Sequence, residues 1–162
     1  MRENKNRKLN LYMRIVFILY GILMLYFLFF ADAMGRLSGD TSSYGYNVVL
    51  FREIHRYMEN WERIGLWKVW LNLGGNIVGF IPLGFLLPFL SNKNRNFLRT
   101  GLTCFFVSLA VEITQRTFHV GCFDVDDMFL NLVGGIIGYL IFMTGSLYRR
   151  KKNDPKKKTK KL

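Results

Sequence analysis

Apolar residues in this chain gather into four long blocks separated by short polar ones. Ile15 to Phe30 is almost unbroken hydrocarbon and extends to about Ala33, and the pattern repeats over Trp70–Leu90, Leu98–Phe118 and Asp127–Leu147. At about 1.5 Å of rise per residue, about 20 such residues cross the hydrocarbon of a bilayer. Each block therefore predicts a membrane-spanning helix, over about 15–33, 70–90, 98–118 and 127–147.

Between the first two blocks the period changes. Leu50, Phe51, Ile54, Tyr57, Met58, Trp61, Ile64 and Gly65 fall on one helical face, with Arg52, Glu53, His55, Arg56, Glu59, Glu62 and Arg63 in the remaining positions. That spacing predicts an amphipathic helix over about 47–66. Spans on either side, and Trp61, Trp67 and Trp70 as headgroup-belt residues, place it flat on the outer interface as a cap over the bundle; a soluble helix packed on the bundle is the alternative. The stretch 35–45, rich in Gly, Ser, Thr and Asp, predicts a loop. The fold class is thus all-α: an integral membrane four-helix bundle with an outer-face amphipathic helix between the first and second spans.

Within the second block the polar positions are ordered. Asn72, Asn76 and Gly79 share a stripe, Gly75 and Gly79 form a small-xxx-small pair expected to admit a neighbouring helix, and Pro82 predicts a kink. In the first block, Ala31-Asp32-Ala33 has the form of a signal-peptidase site. The apolar region is longer than the usual 7–15 residues of a signal peptide, which favours a retained helix.

Composition agrees with a membrane domain: 51% of the 162 residues are hydrophobic and 16% aromatic. The net charge of +12 would suggest nucleic acid until it is located. Residues 1–14 carry Arg2, Lys5, Arg7, Lys8 and Arg14 against Glu3, and 149–162 carry nine Lys or Arg against Asp154, so the excess sits on two basic tails flanking a domain at 15–148. Charge confined to chain ends beside apolar runs follows the positive-inside rule and argues against a nucleic-acid partner. Lys93, Arg95 and Arg99 between the second and third blocks belong on the same side. The expected topology is four spans in the bacterial cytoplasmic membrane with both termini cytoplasmic, the last tail being disordered.

This orientation gives the polar residues a common depth. Glu112, Gln115, Arg116 and His119 fall on one stripe in the outer half of the third span, Asp124, Asp126 and Asp127 crowd the turn after it, Asn131 lies one turn into the fourth, and Asn76 lies in the outer part of the second. Ionisable groups at membrane depth face a protein interior or a wet cavity. Asn76, Glu112, Gln115, Arg116, Asp124, Asp126, Asp127 and Asn131 are therefore the candidate ligand-binding residues of a polar pocket open to the outer leaflet. Glu112, Asp124, Asp126 and Asp127 are the candidate ligands for a divalent cation, the one cofactor this chemistry suggests. The architectural alternative is a Glu112–Arg116 pair along one helix and an aspartate cap on the next. Cys104 and Cys122, one in mid-span and one beyond the span's outer end, are not expected to form a disulfide.

These residues carry a resemblance. Asn76, Phe80 and Pro82-Leu83-Gly84 on one span, Glu112 with Gln115 on the next, then Phe123-Asp124-Val125-Asp126-Asp127, Asn131 and Gly134-Gly135, are similar to the pattern of the VanZ-like family of small bacterial membrane proteins. Asn47–Tyr57 resembles the family's extracytoplasmic stretch, with Leu50 where a proline is common, and the arginine often found before the Phe-Asp turn has no counterpart. The resemblance implies a cell-envelope role linked to resistance to the lipoglycopeptide teicoplanin. The expected partners are the bilayer and an amphiphilic or lipid-linked ligand, bound or excluded at the outer leaflet. A membrane-embedded, carboxylate-dependent enzyme acting on a lipid or cell-wall precursor is the alternative, and a scaffold or exporter a third. The chain carries no Walker motif, nucleophile elbow, HExxH or paired-Cys zinc pattern.

Overall fold

The computed structural model describes residues 11–27, 46–118 and 121–152. Helix α1 (Leu11–Phe27) is followed by β1 (Tyr46–Asn47), α2 (Arg52–Glu59), α3 (Trp61–Ile64) and α4 (Leu66–Val69). The five-residue π turn Trp70–Gly74 carries α4 into α5 (Gly75–Leu90), so that Leu66–Leu90 is one 25-residue helix. A 3₁₀ turn (Asn92–Arg95) leads to α6 (Phe97–Thr117), then β2 (Phe123–Asp124) and α7 (Val125–Lys152).

Three helices, Leu66–Leu90, Phe97–Thr117 and Val125–Arg149, are long and apolar enough to cross a membrane. The first expected span is described only over Leu11–Phe27; its remainder, with the Ala31-Asp32-Ala33 site and the loop to residue 45, lies outside the described residues. Helix α1 nevertheless packs on the others, with Phe17, Tyr20 and Met24 against a core of Phe80, Leu83, Leu87 and Cys104. The Tyr20 hydroxyl donates to the Gly79 carbonyl at 2.7 Å.

The tightest packing is between α5 and α7. A Cβ on Gly84 would collide with the Gly135 carbonyl, one on Gly134 with the Ile77 carbonyl, and one on Gly138 with the Ile81 carbonyl. A Cβ on Gly135 would meet the Cys104 side chain of α6. Hydrocarbon solvent gives helices no hydrophobic reason to associate, so close backbone approach over small residues supplies the attraction. The expected Gly75/Gly79 contact is not made: a Cβ on either meets nothing within 4 Å. The face that α5 turns to α7 is that of Ile77, Ile81 and Gly84, and both of the other glycines are exposed.

At the opposite end from β2, the turn before α6 is closed by side chains. Asn96 caps α6 by accepting the Leu98 and Arg99 amides, Thr100 donates to the Asn94 carbonyl, and the Tyr139 hydroxyl donates to the Arg95 carbonyl at 2.8 Å.

The amphipathic stretch expected over 47–66 as one helix is instead broken three times. Tyr46–Asn47 pairs as a parallel strand with Phe123–Asp124, Phe51 takes a left-handed φ of 68°, and Gly65, at φ 92°, separates α3 from α4. At Asn60 the side-chain amide folds back to donate to the Arg56 carbonyl at 2.9 Å, ending α2. One-residue bends leave the i, i+3, i+4 spacing almost intact, which is why periodicity ran through them.

Candidate functional site

The first turn of a helix leaves amides without partners, and at the start of α2 they are met by a side chain from elsewhere in the chain. Phe51, at the N-cap position, supplies no side-chain acceptor. Asp126, on the first turn of α7 and fully buried, takes that role. One of its carboxylate oxygens accepts the Phe51 amide, and the other accepts the Glu53 amide at 2.7 Å and the Ile54 amide at 3.2 Å. An anionic acceptor on the positive end of a helix is favoured by the helix dipole as well. The Phe51 ring meets Phe129 edge-on at 5.2 Å, adding an apolar clasp beside the polar one.

Asp124 does for α7 what Asp126 does for α2. Its Oδ1 accepts the Asp126 amide at 2.8 Å, and the same oxygen accepts Asn47 Nδ2 at 2.8 Å. The Asp124 amide in turn donates to Glu112 Oε2 at 2.9 Å. Glu112, Asp124, Asn47 and Asp126 thus form a relay from α6 through the strand pair to α2. Two further ties run between helices: Asn76 Nδ2 donates to Asp127 Oδ1 at 2.5 Å, and Asn131 Nδ2 to Ser108 Oγ at 2.9 Å. Asn131 Oδ1 is buried without a hydrogen-bond partner among the described residues.

Six of the eight residues picked from the sequence therefore come together: Asn76, Glu112, Asp124, Asp126, Asp127 and Asn131. Gln115 and Arg116 stand apart from this seam. Gln115 is half-buried on α6, and the Arg116 guanidinium lies over the Tyr46 ring, 4.6 Å from its centre. Asn72 is exposed and folds back on the Lys68 carbonyl, and His119 lies outside the described residues. Two members escaped the sequence analysis. Ser108 is four residues before Glu112 on the same helical face, a spacing that offered a signal; Asn47 sat in a stretch taken as helix.

Glu112 is 1% exposed, Asp126 0% and Asn131 3%, while Asn76 and Asp127 are half-buried. Among the described residues no three His, Cys, Asp or Glu side chains converge to hold a metal ion, because these carboxylates are turned onto amides. Cys104 is buried and Cys122 exposed, and neither is in a disulfide.

Burial pushes the Asp124 carboxyl above its usual 3.8, outweighing the amide and Asn47 contacts that favour its anion. A folded value above the unfolded one means that the fold holds this proton more tightly. The cost of keeping Asp124 ionised is therefore full above the folded value and is relieved as the pH falls towards 3.8. Asp124→Asn keeps the one oxygen that both donors use, so it is expected to leave stability at pH 7 within about 1 kcal/mol of wild type and to remove this portion of the pH dependence. Thermal unfolding in detergent at pH 7 and pH 5 checks both; a loss as large as that of Asp126→Asn would show that the second oxygen matters.

These features define a class, a small helical membrane protein in which buried carboxylates fasten a surface segment across one end of its helices. The chain belongs to the VanZ/LLP1 family, whose profile matches residues 17–148. It is similar to the protein VanZ of Enterococcus faecium, at 36% identity over 67 residues, 41% of each chain. The matched stretch thus spans less than half the length of that relative. No solved structure matches the chain.

Proposed function

We propose that this protein acts in the bacterial cytoplasmic membrane as a non-catalytic, four-span envelope protein with both termini cytoplasmic. Its outer surface binds or excludes an amphiphile, and the effect is resistance to lipoglycopeptides such as teicoplanin. The observation that carries this reading is the engagement of the acidic residues: Glu112, Asp124 and Asp126 accept backbone amides and so hold the segment from Tyr46 to Glu59 in place. Carboxylates used in this way support a positioned surface better than a reaction centre. The basic tails and the basic turn before α6 support the orientation.

Expression in a susceptible Gram-positive host is expected to raise the inhibitory concentration of teicoplanin while leaving that of a glycopeptide without an acyl chain unchanged. No change, with the protein present in the membrane, would count against the resistance reading. The orientation has its own test in the two thiols. A membrane-impermeant maleimide is expected to label Cys122 in intact cells and to leave Cys104 unmodified. Labelling of Cys122 only after the cells are broken would put that end of the molecule inside.

A further inference from the structure

Between β1 and α2 the chain runs Val48-Val49-Leu50-Phe51, consecutive apolar residues in neither helix nor strand, each between 48% and 68% exposed. Loop backbone needs water or a built-in partner, and loops are ordinarily polar for that reason. Here much of the backbone is met from within. The Val49 amide donates to Asn47 Oδ1 at 3.2 Å and the Phe51 amide to Asp126, while the Val49 carbonyl accepts the Arg52 amide at 3.3 Å and the Phe51 carbonyl the His55 amide at 3.0 Å. An apolar exterior over internally bonded backbone is what a non-helical segment requires where water is scarce.

The position of the run decides what surrounds it. Asp126, on the first turn of α7, holds the Phe51 amide, and the Phe51 ring packs edge-on against Phe129 about one turn further along. The run therefore lies alongside the start of a helix long and apolar enough to cross a membrane, not beyond its end. Phe129 is itself 37% exposed, and outward apolar side chains recur along the same helix at Ile137, Leu140 and Ile141. From Arg52 onward the character reverses: α2 carries Arg52, Glu53, His55, Arg56 and Glu59, with His55 and Glu59 paired at the surface. We propose that Val48, Leu50 and Phe51 enter the acyl chains of the leaflet that surrounds the start of α7, while the charged side of α2 stays among the headgroups. Apolar side chains of interfacial elements reach about 5–10 Å into that boundary. The lipid contact expected of an amphipathic helix thus falls on a loop, and the Asp126 clasp is what lets irregular backbone stand at that depth. The inference rests on the membrane setting of α7 and not on the resistance reading.

Spin labelling of the full-length protein in phosphatidylcholine bilayers tests this. With Cys122→Ser the remaining native thiol is the buried Cys104, and that variant, carried through the same labelling, gives the background. Val48→Cys, Leu50→Cys, His55→Cys and Leu140→Cys are then added and labelled one at a time. Oxygen concentrates in hydrocarbon and a neutral nickel chelate in water, so the ratio of their collision rates with the label reports its surroundings. The ratio of oxygen to nickel collisions is expected to be several-fold higher at Val48 and Leu50 than at His55, on the side of the value at Leu140, an exposed residue midway along α7. Ratios at Val48 and Leu50 equal to that at His55, with Leu140 high, would put the run in water and overturn the proposal while leaving the span intact. Low collision rates with both reagents at Val48 and Leu50 would mean that protein covers the run, a second copy for example, and would overturn it as well. A ratio at Leu140 as low as that at His55 would remove the membrane setting itself and the proposal with it. The two labelled positions in the run are separate proteins, so one that perturbs the fold leaves the other to decide.

Discussion

Replacing Asp126 with alanine is expected to release the segment around α2 from the helices and abolish whatever the surface does, although the protein still inserts. Three amides, those of Phe51, Glu53 and Ile54, lose their acceptor at once. A hydrogen bond to a charged group contributes about 1.5–3 kcal/mol and an ordinary helix cap about 1, so a cost of about 3–5 kcal/mol is expected even if water reaches part of the gap. Asp126→Asn should come close to it, because both carboxylate oxygens are in use and an amide must turn its NH₂ towards one of the donors. Limited proteolysis between Tyr46 and Asn60, compared with wild type in the same detergent, reads the release directly. If Asp126→Asn is as resistant to protease as Asp124→Asn, the cap is not what holds the segment.

The second large effect lies in the packing of α5 on α7. Gly134→Ala or Gly84→Ala places a methyl group on a carbonyl of the facing helix, and a backbone carbonyl cannot swing aside as a side chain does. The two helices have to part, which costs about 1–3 kcal/mol for overpacking alone and loses contacts along the whole seam. Gly79→Ala is the control. It adds a methyl in open space and should be neutral, or stabilising by up to about 1 kcal/mol through helix propensity. Detergent-solubilised thermal stability should separate the variants in that order, and an equal loss at Gly79 would mean that α5 presents another face.

What could be read in the sequence depended on how far each signal reaches. The apolar blocks gave α6 and α7 to within a residue or two at their starts, 98 against Phe97 and 127 against Val125, because a membrane span is a property of about 20 consecutive residues. Helix α7 runs on to Lys152 past the expected 147, since tyrosine, arginine and lysine are acceptable helix formers outside the hydrocarbon. Depth alone set polar residues of α5, α6 and α7 at one level, where Asn76 meets Asp127 and Asn131 meets Ser108. It could not tell which oxygen would meet which amide, because the donors are on the backbone and have no letter in the sequence. The strand pair was invisible for the same reason: two residues at Tyr46–Asn47 meet two at Phe123–Asp124 across most of the domain, with no alternation long enough to register. The glycines failed differently. Spacing marked 75/79, yet it is Gly84, Gly134 and Gly138 that face a neighbour, since a helical stripe does not say what lies opposite.

The parallel pairing of β1 with β2 sets an order on biosynthesis. Tyr46 and Asn47 leave the ribosome long before Phe123 and Asp124 exist, and the carboxylate that caps α2 belongs to α7, made later still. Until α7 has entered the membrane, the early segment has nowhere to dock and must wait at the lipid surface with its amides in water. A nascent chain halted before that point would hold α5 and α6 but lack both α7 and a docked surface, so the early segment can settle only once a much later part of the chain has been made.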